Sequence, residues 1–394
     1  MARWHNWSGR HAGRVGNLAF VRSEQDAAAL IRLCAADGLT VRAAGAGHSH
    51  SPVVMNEEVI IDTSGLSGVI EVDPGEKQAW IRAGSPIYSL GRQLHEHGLA
   101  LRNQGDIDRQ LLGGVIATGT HGTGRDLQNL SAAVVALRMI LPTGEKVTCS
   151  QLENPDIFEV ARLGIGSAGL ITDIRMQLTD SVVLQESGMI LDYEQLAGDI
   201  GLLTDRHERF EFFWYPGSDS ATVKIIDPTD EGPIYPLAEE GERQAWSFEV
   251  LPSHRPHVHT EMEYSIPRDR GRDCFEEIRS LIRRDFPAVS WPVEYRTVAA
   301  DDIWLSMASG RDTVTISVHQ DISEDETDYY QACESVFLSY GGRPHWGKVN
   351  YLSAAQLAGL YPHYENWWRI RNELDPDGIF LNAWARSLDP TRTA

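Results

Sequence analysis

From Leu39 a short apolar strand runs into Gly45, Ala46 and Gly47 and then His48, and this LTVRAAGAGHSHSP stretch constrains the fold more than any other. A backbone so poor in side chains can approach a phosphate closely. Strand, small-residue turn and Ser-rich exit together make a diphosphate cradle of peptide N–H groups, to which Ser49 and Ser51 add hydroxyl donors. His48 is then held beside whatever the diphosphate carries. The same pattern also suits an ordinary hairpin or bulge, so a second element has to decide between them.

Asn103 to Gly124, NQGDIDRQLLGGVIATGTHGTG, places six glycines, three threonines and a histidine in one stretch, with no charged side chain after Arg109. Neither a helix nor a regular strand tolerates that composition well. It reads as a buried loop wrapped around a flat ligand, with Gly113, Gly114, Gly119 and Gly122 permitting close approach. A third stretch, Gly164 to Gly169, formally satisfies GxGxxG, but the residues after it, LITDIRMQL, alternate like a strand. The dinucleotide fingerprint must open a helix, so a nicotinamide-type fold is not supported. No GxxxxGK[ST] phosphate loop is present.

These segments resemble the vanillyl-alcohol oxidase superfamily of FAD enzymes, and within it the sugar-lactone (gulonolactone and arabinonolactone) and alditol oxidase branch. The resemblance spans nearly the whole chain. It includes Trp4-His5-Asn6-Trp7-Ser8-Gly9, the GAGHS turn, the NQGDID to GTHGTG stretch and the aromatic run Phe210 to Pro216. Further on come Glu294-Tyr295-Arg296, His319-Gln320 and His345-Trp346-Gly347-Lys348. Their order and spacing together carry the resemblance. It implies an α+β, two-domain FAD-binding fold with a separate antiparallel-sheet substrate (cap) domain. The expected division is an FAD-binding domain over 1–180, a cap domain over 181–349 and a return to the FAD domain over 350–394.

At 394 residues the chain is long enough for two sizeable cores. A formal charge of −21, with no basic block to offset it, argues against nucleic acid or anionic membranes as partners. A small polar substrate and, by resemblance, dioxygen are the expected partners, with the protein a monomer or small homo-oligomer. Cys34, Cys149, Cys274 and Cys333 show neither CxxC nor zinc-finger spacing, so neither a disulfide framework nor a structural metal is expected. The N-terminal segment lacks the apolar run of a secretory signal, and no stretch approaches the ~20 apolar residues of a membrane helix. A cytoplasmic location is expected.

Ser23 reads as the cap of a helix ending at Gly38, and Ser85-Pro86 as the start of another that stops at Gly98. Strands are expected over 59–62, 69–73 and 78–83, with a hairpin around Pro142-Thr143-Gly144. Asn154-Pro155 begins a further helix. Beyond residue 180 the pattern changes to longer, aromatic-rich alternating strands over 211–215, 221–226, 246–250 and 261–266. Helices over 273–285 and 326–340 interleave with strands over 293–297 and 314–319. This is the pattern of an antiparallel sheet with one covered face.

Flavin oxidation of an alcohol requires a hydride acceptor, a group to take the hydroxyl proton, and positive charge near the flavin pyrimidine edge. Glu294 and Arg296 stand two apart in a strand and so share a face, as substrate ligands or as a structural ion pair. Thr315, Ser317 and His319 share the polar face of their strand, and the resemblance puts His319 at the substrate. It also implies that Lys348 faces the flavin, and that His48 bonds covalently to the flavin 8α-methyl group. His50 stands where relatives carry Phe or Pro, which leaves open which imidazole is attached. Asp106 stands where alditol oxidases carry Ser, so the polyol contacts differ there.

The expected catalytic set is Glu294, Arg296, His319, Lys348 and Asp106. The expected FAD contacts are Ala44, Gly45, Ala46, Gly47, His48, Ser49, Ser51, Gln104, Gly105, Gly113, Gly114, Ala117, Thr118, Gly119, His121, Gly122, Gly169, Ile171 and Lys348. His254, His257 and His259, followed by Glu261 and Glu263, lack HExxH spacing and read as a solvated strand face rather than a metal site. The expected activity is FAD-dependent oxidation of a small polyol or sugar lactone with peroxide as co-product. A dehydrogenase with another acceptor, or a tailoring oxidase for a larger metabolite, is the alternative.

Overall fold

The structure, a computed structural model, describes residues 2–391. Ser23 caps the helix Glu24–Ala36 by accepting from the Asp26 amide at 3.1 Å. Gly38, at φ +67°, turns the chain back toward the strand Val41–Ala44. That strand pairs in parallel with Val59–Asp62, which pairs in parallel with Asn17–Phe20. Ala27, Ile31, Val41 and Ile61 close a small core between helix and sheet. The glycine-rich turn therefore leaves the end of a parallel strand, where α/β sheets commonly place their ligands.

A second, five-stranded antiparallel sheet runs in the order Lys146–Ser150, Val134–Ile140, Leu170–Gln177, Gln78–Arg82, Val69–Asp73. The helices Ile87–His95 and Leu112–Thr118 share its core through Leu90, Leu94, Leu112, Val115 and Ile116. The second of these overturns the expectation of a continuous loop over 103–124. Each glycine costs a helix about 1 kcal/mol, but burial of three large aliphatic side chains outweighs that. Gly113 also lets the helix approach Ala83, whose carbonyl oxygen would stand 3.1 Å from any added Cβ. Gly119, at φ +75°, ends the helix.

The GxGxxG segment stays a loop in front of the strand Leu170–Gln177, as the alternation after it requires. Arg42, fully buried, donates to the carbonyls of Val53, Ile165, Gly166 and Phe380. Arg371, on the helix Tyr364–Leu374, donates to the Ser167 carbonyl at 3.0 Å. The glycines at 164–169 thus serve a close clamp between the first strands and the C-terminal helices.

Residues 183–344 build an eight-stranded antiparallel sheet, ordered Gln244–Trp246, Val183–Asp192, Ser220–Thr229, Arg209–Tyr215, Val293–Val298, Thr313–Asp321, His259–Pro267, Arg343–Pro344. Alternation sends Phe212, Trp214, Tyr295, Val314, Ile316 and Val318 to one face, where Phe275 and Phe337 of the covering helices Arg268–Asp285 and Thr327–Ser339 complete the core. Phe212 stacks on Tyr295 at 4.9 Å between ring centroids. The opposite face carries Glu211, Glu294, Arg296, Ser317 and Glu263.

The strand expected over 246–250 is shorter than that. Pairing with Val183–Gln185 stops at Trp246, and Ser247–Val250 forms a helical turn that buries Val250 beside Leu184, Ile226 and Ala245. All four cysteines are buried and free. Among the described residues no helix is long and apolar enough to cross a membrane.

Candidate active site

One cavity is lined by the turn Ala44 to Ser49, by Gly105 and Asp106, by Gly113, Gly114, Ala117, Thr118 and His121, by Gly169 and Ile171, and by the open face of the eight-stranded sheet. Glu294, Arg296, His319 and Lys348 line it from that face. Four expected residues stand outside it. Ser51 is buried and donates its hydroxyl to the Trp346 carbonyl at 2.8 Å, which ties the turn to the HWGK segment. Gly119 caps its helix, and Gln104 is buried behind the wall. A Cβ at Gly122 would meet the Gln104 carbonyl oxygen at 2.3 Å, so this glycine serves packing.

The lining fits FAD. Among the described residues the amides of Ala46, Gly47, His48 and Ser49 donate to no protein acceptor. Four consecutive unpaired N–H groups in a cavity wall make a place for an anion. Gly45 packs closely on Leu111, where an added Cβ would stand 3.3 Å from the side chain and push it by a few tenths of an ångström. Ring-on-ring stacking fixes His48: its imidazole lies over Trp7 at 5.4 Å and 25°. Burial, reinforced by Lys348, pushes this imidazole down to about 4, so it is neutral near pH 7. His50 is buried, does not line the cavity and stands 3.7 Å from Glu261.

Two charge clusters share the open sheet face. In the first, Asp106 meets Lys224 at 3.0 Å, Arg255 at 2.7 Å and Arg296 at 3.3 Å. Burial opposes ionisation of Asp106, but the three cations hold its carboxyl far below the usual range. Arg296 also meets Glu211 at 3.0 Å and Glu294 at 2.5 Å. For Glu294, burial and the neighbouring carboxylates Glu211 and Asp106 outweigh Arg296 and push the group up to about 8.

In the second cluster Glu261 holds the Lys348 ammonium and faces three imidazoles, His259 at 3.6 Å, His50 at 3.7 Å and His319 at 3.8 Å. Burial opposes the charge on Glu261, but Lys348 and the surrounding imidazoles keep its carboxyl well below the ordinary value. Behind it, Glu263 meets His121 at 2.8 Å and accepts from the Ser317 hydroxyl at 2.9 Å. Burial lowers His319 to about 4. Its Nδ1 lies 2.8 Å from the Pro292 carbonyl, an acceptor only, so Nδ1 carries the proton and Nε2 keeps its lone pair.

Residues 17–150 match the family model described as FAD binding domain, and residues 234–388 match that described as D-arabinono-1,4-lactone oxidase. The L-gulono-1,4-lactone dehydrogenase of Mycobacterium tuberculosis is 33% identical over 424 aligned positions, covering 98% of each chain. The chain belongs to the FAD-linked sugar-lactone and alditol oxidase family. The L-gulonolactone oxidase of Bos taurus is 27% identical, again over 98% of each chain. A cholesterol oxidase from B. sterolicum shares the fold at a TM-score of 0.88, with 15% identity, 98% of this chain and 96% of that one covered.

Against this family background, the structure adds side chains that the sequence reading passed over. Glu261 and Glu263 were expected on a solvated face and are both buried. The signal was present: Met262, Tyr264 and Ile266 alternate with them, which puts Glu261, Glu263 and Ser265 together on the other face, opposite His319, Ser317 and Thr315. His254 and His257 stay exposed. Donor atoms of His50, His259 and Glu261 lie within 4.8 Å of one another, but the Lys348 ammonium already occupies the cation's place at Glu261. Lys224 and Arg255 had no local motif to announce them, whereas Arg42, Glu211 and His345 lay inside the quoted motifs with no role attached.

Proposed function

We propose that this enzyme oxidises an alcohol carbon of a small polyol or sugar lactone and passes the electrons to dioxygen. The observation that carries the reading is the convergence of Glu294, Arg296, His319 and Lys348 beside a wall of unpaired backbone amides. The turn 46–49 would hold the FAD diphosphate, with His48 as the covalent attachment. Bound FAD supplies the acceptor for the hydride and delivers the electrons onward.

The chain's own residues supply the rest. His319 presents an unprotonated Nε2 to the cavity, the arrangement of a general base for a substrate hydroxyl. The imidazolium formed on proton uptake would face the carboxylate of Glu261, 3.8 Å away. Glu294, neutral near pH 7, can donate one hydrogen bond and accept another, which suits vicinal hydroxyls or a lactone oxygen. Arg296 fixes its orientation and adds donors of its own. Lys348, held by Glu261, brings a compact positive charge to the cofactor side.

The test is anaerobic mixing with a panel of polyols, aldonolactones and free sugars while flavin absorbance is followed, then admission of oxygen with peroxide counted. Bleaching by none of them would refute the reading. Lys348→Met and Arg296→Ala should each slow bleaching by ~10²-fold or more. A dehydrogenase reading is favoured by the name of the Mycobacterium relative. The oxidase reading rests on Gly105 in the cavity wall: by the family resemblance the matching residue lies beside the flavin carbon where oxygen reacts, and a small side chain there resembles the oxidase pattern.

A further inference from the structure

The open sheet face does not end at the catalytic residues. Cross-strand pairing sets Glu263, Ser317, Glu294, Phe213, Thr222 and Ile190 in one continuous row across six strands. Glu263 and Glu294 line the reaction cavity, and Ser317 between them donates its hydroxyl to Glu263. The last three reach a second, outer cavity of about 1070 Å³. The two cavities share Phe213, Arg255, His259, Trp291 and Pro292 as a common wall. At this neck Arg255 lies over the Phe213 ring at 4.9 Å and reaches inward to Asp106.

Beyond the neck the chemistry changes. Tyr215, two residues after Phe213 and so on the same face, is 37% exposed, and Ile190 is 75% exposed. Exposed apolar groups in a cavity continuous with a reaction centre mark a place for a ligand. The same cavity is lined by Glu239 and Glu242, neither of which has an ion pair among the described residues. Lys224 and Arg255, the nearby Lys and Arg, are already committed to Asp106. An anionic group would find free carboxylates and committed cations there, whereas a neutral ring with one C–H face and a hydroxyl edge matches both walls.

We propose that the outer cavity is a glycosyl subsite, so that the preferred substrate is a polyol or aldonolactone bearing a further sugar unit. This rests on the functional reading above. The sugar would lie against Tyr215 and Ile190 and direct its hydroxyls to Glu239 and Glu242, while the oxidised carbon sits at His319. Binding energy from such a remote unit can be expressed in turnover of the reacting end.

The experiment uses the FAD-loaded enzyme and matched pairs: D-glucitol against maltitol, and D-gluconolactone against cellobionolactone. Flavin bleaching gives the rate, and calorimetry on the prereduced enzyme gives the affinity of each. The glycosylated member should be favoured at least ~10-fold in kcat/KM and in affinity. Tyr215→Ala and Glu242→Gln should remove that preference and leave the unextended member within about twofold of its original rate. Bleaching by the unextended member with no gain from glycosylation overturns the subsite alone. A preference that survives in both variants also overturns it. No bleaching by any of the four overturns the subsite, and the functional reading falls with it only if the full panel of polyols, aldonolactones and free sugars also leaves the flavin oxidised.

Discussion

Glu261 grips the ammonium of Lys348 in the cavity wall, and the imidazoles of His50, His259 and His319 stand around the same carboxylate. Removing one partner of a buried pair leaves the other uncompensated, at a cost of about 3–5 kcal/mol. Glu261→Gln should therefore destabilise the fold by that order in urea denaturation. Glu261→Gln combined with Lys348→Met should recover a good part of the loss. An additive double variant would show that the two side chains act independently.

His48 lines the cavity and His50 does not, so His48 is the better placed of the two for the proposed covalent attachment. Purified protein should stay yellow after acid precipitation. His48→Ala should release flavin into the supernatant or fail to hold it, whereas His50→Ala should keep it attached. Retention by His48→Ala with release by His50→Ala would reassign the linkage.

Glu294 gives a pH dependence whose sign can be worked out. Its carboxyl is raised from 4.5 to about 8 in the folded protein, so between those values the native state binds a proton that the unfolded chain does not. Its contribution to stability is fully present below about 4.5 and is lost as pH rises through about 8. Above that pH it also loses its capacity to donate a hydrogen bond. A fall in kcat/KM centred near pH 8 is expected, along with a loss of thermal stability that builds up between about pH 4.5 and pH 8 and levels off above it. Glu294→Gln, permanently neutral, should flatten both. An unchanged alkaline limb in that variant would assign the titration to another group.

How much of this was legible in the sequence depends on how local each requirement is. The 45–49 cradle was readable because close approach of a backbone demands Gly and Ala in consecutive positions. Glu294 and Arg296 were readable because a strand puts every second residue on one face. The Leu112–Thr118 helix was hidden, since its glycines argue against a helix and only burial of Leu112, Val115 and Ile116 in the shared core outweighs them. Lys224 meets Asp106 across 118 residues of sequence, and His121 meets Glu263 across 142. No local pattern encodes such encounters. Asp106 illustrates the cost: a departure from alditol oxidases that read as a changed polyol contact is, in the structure, a carboxylate surrounded by three cations.

Gly105 offers a test of the proposed oxidase against a dehydrogenase. It lines the cavity beside Asp106, and a Cβ added there would stand 3.1 Å from the His121 carbonyl oxygen. That contact is tight enough to displace the wall by a few tenths of an ångström, so even alanine both fills space and disturbs the surface. Substrate-reduced enzyme should be reoxidised rapidly by dioxygen with stoichiometric peroxide. Gly105→Ala should slow reoxidation by roughly tenfold, about 1.4 kcal/mol of barrier, and leave anaerobic reduction nearly intact. Gly105→Leu, with a larger side chain reaching into the cavity, should slow it further. Slow reoxidation of the unaltered enzyme in air-saturated buffer, alongside fast turnover with an artificial dye acceptor, would reject the oxidase and establish a dehydrogenase in its place.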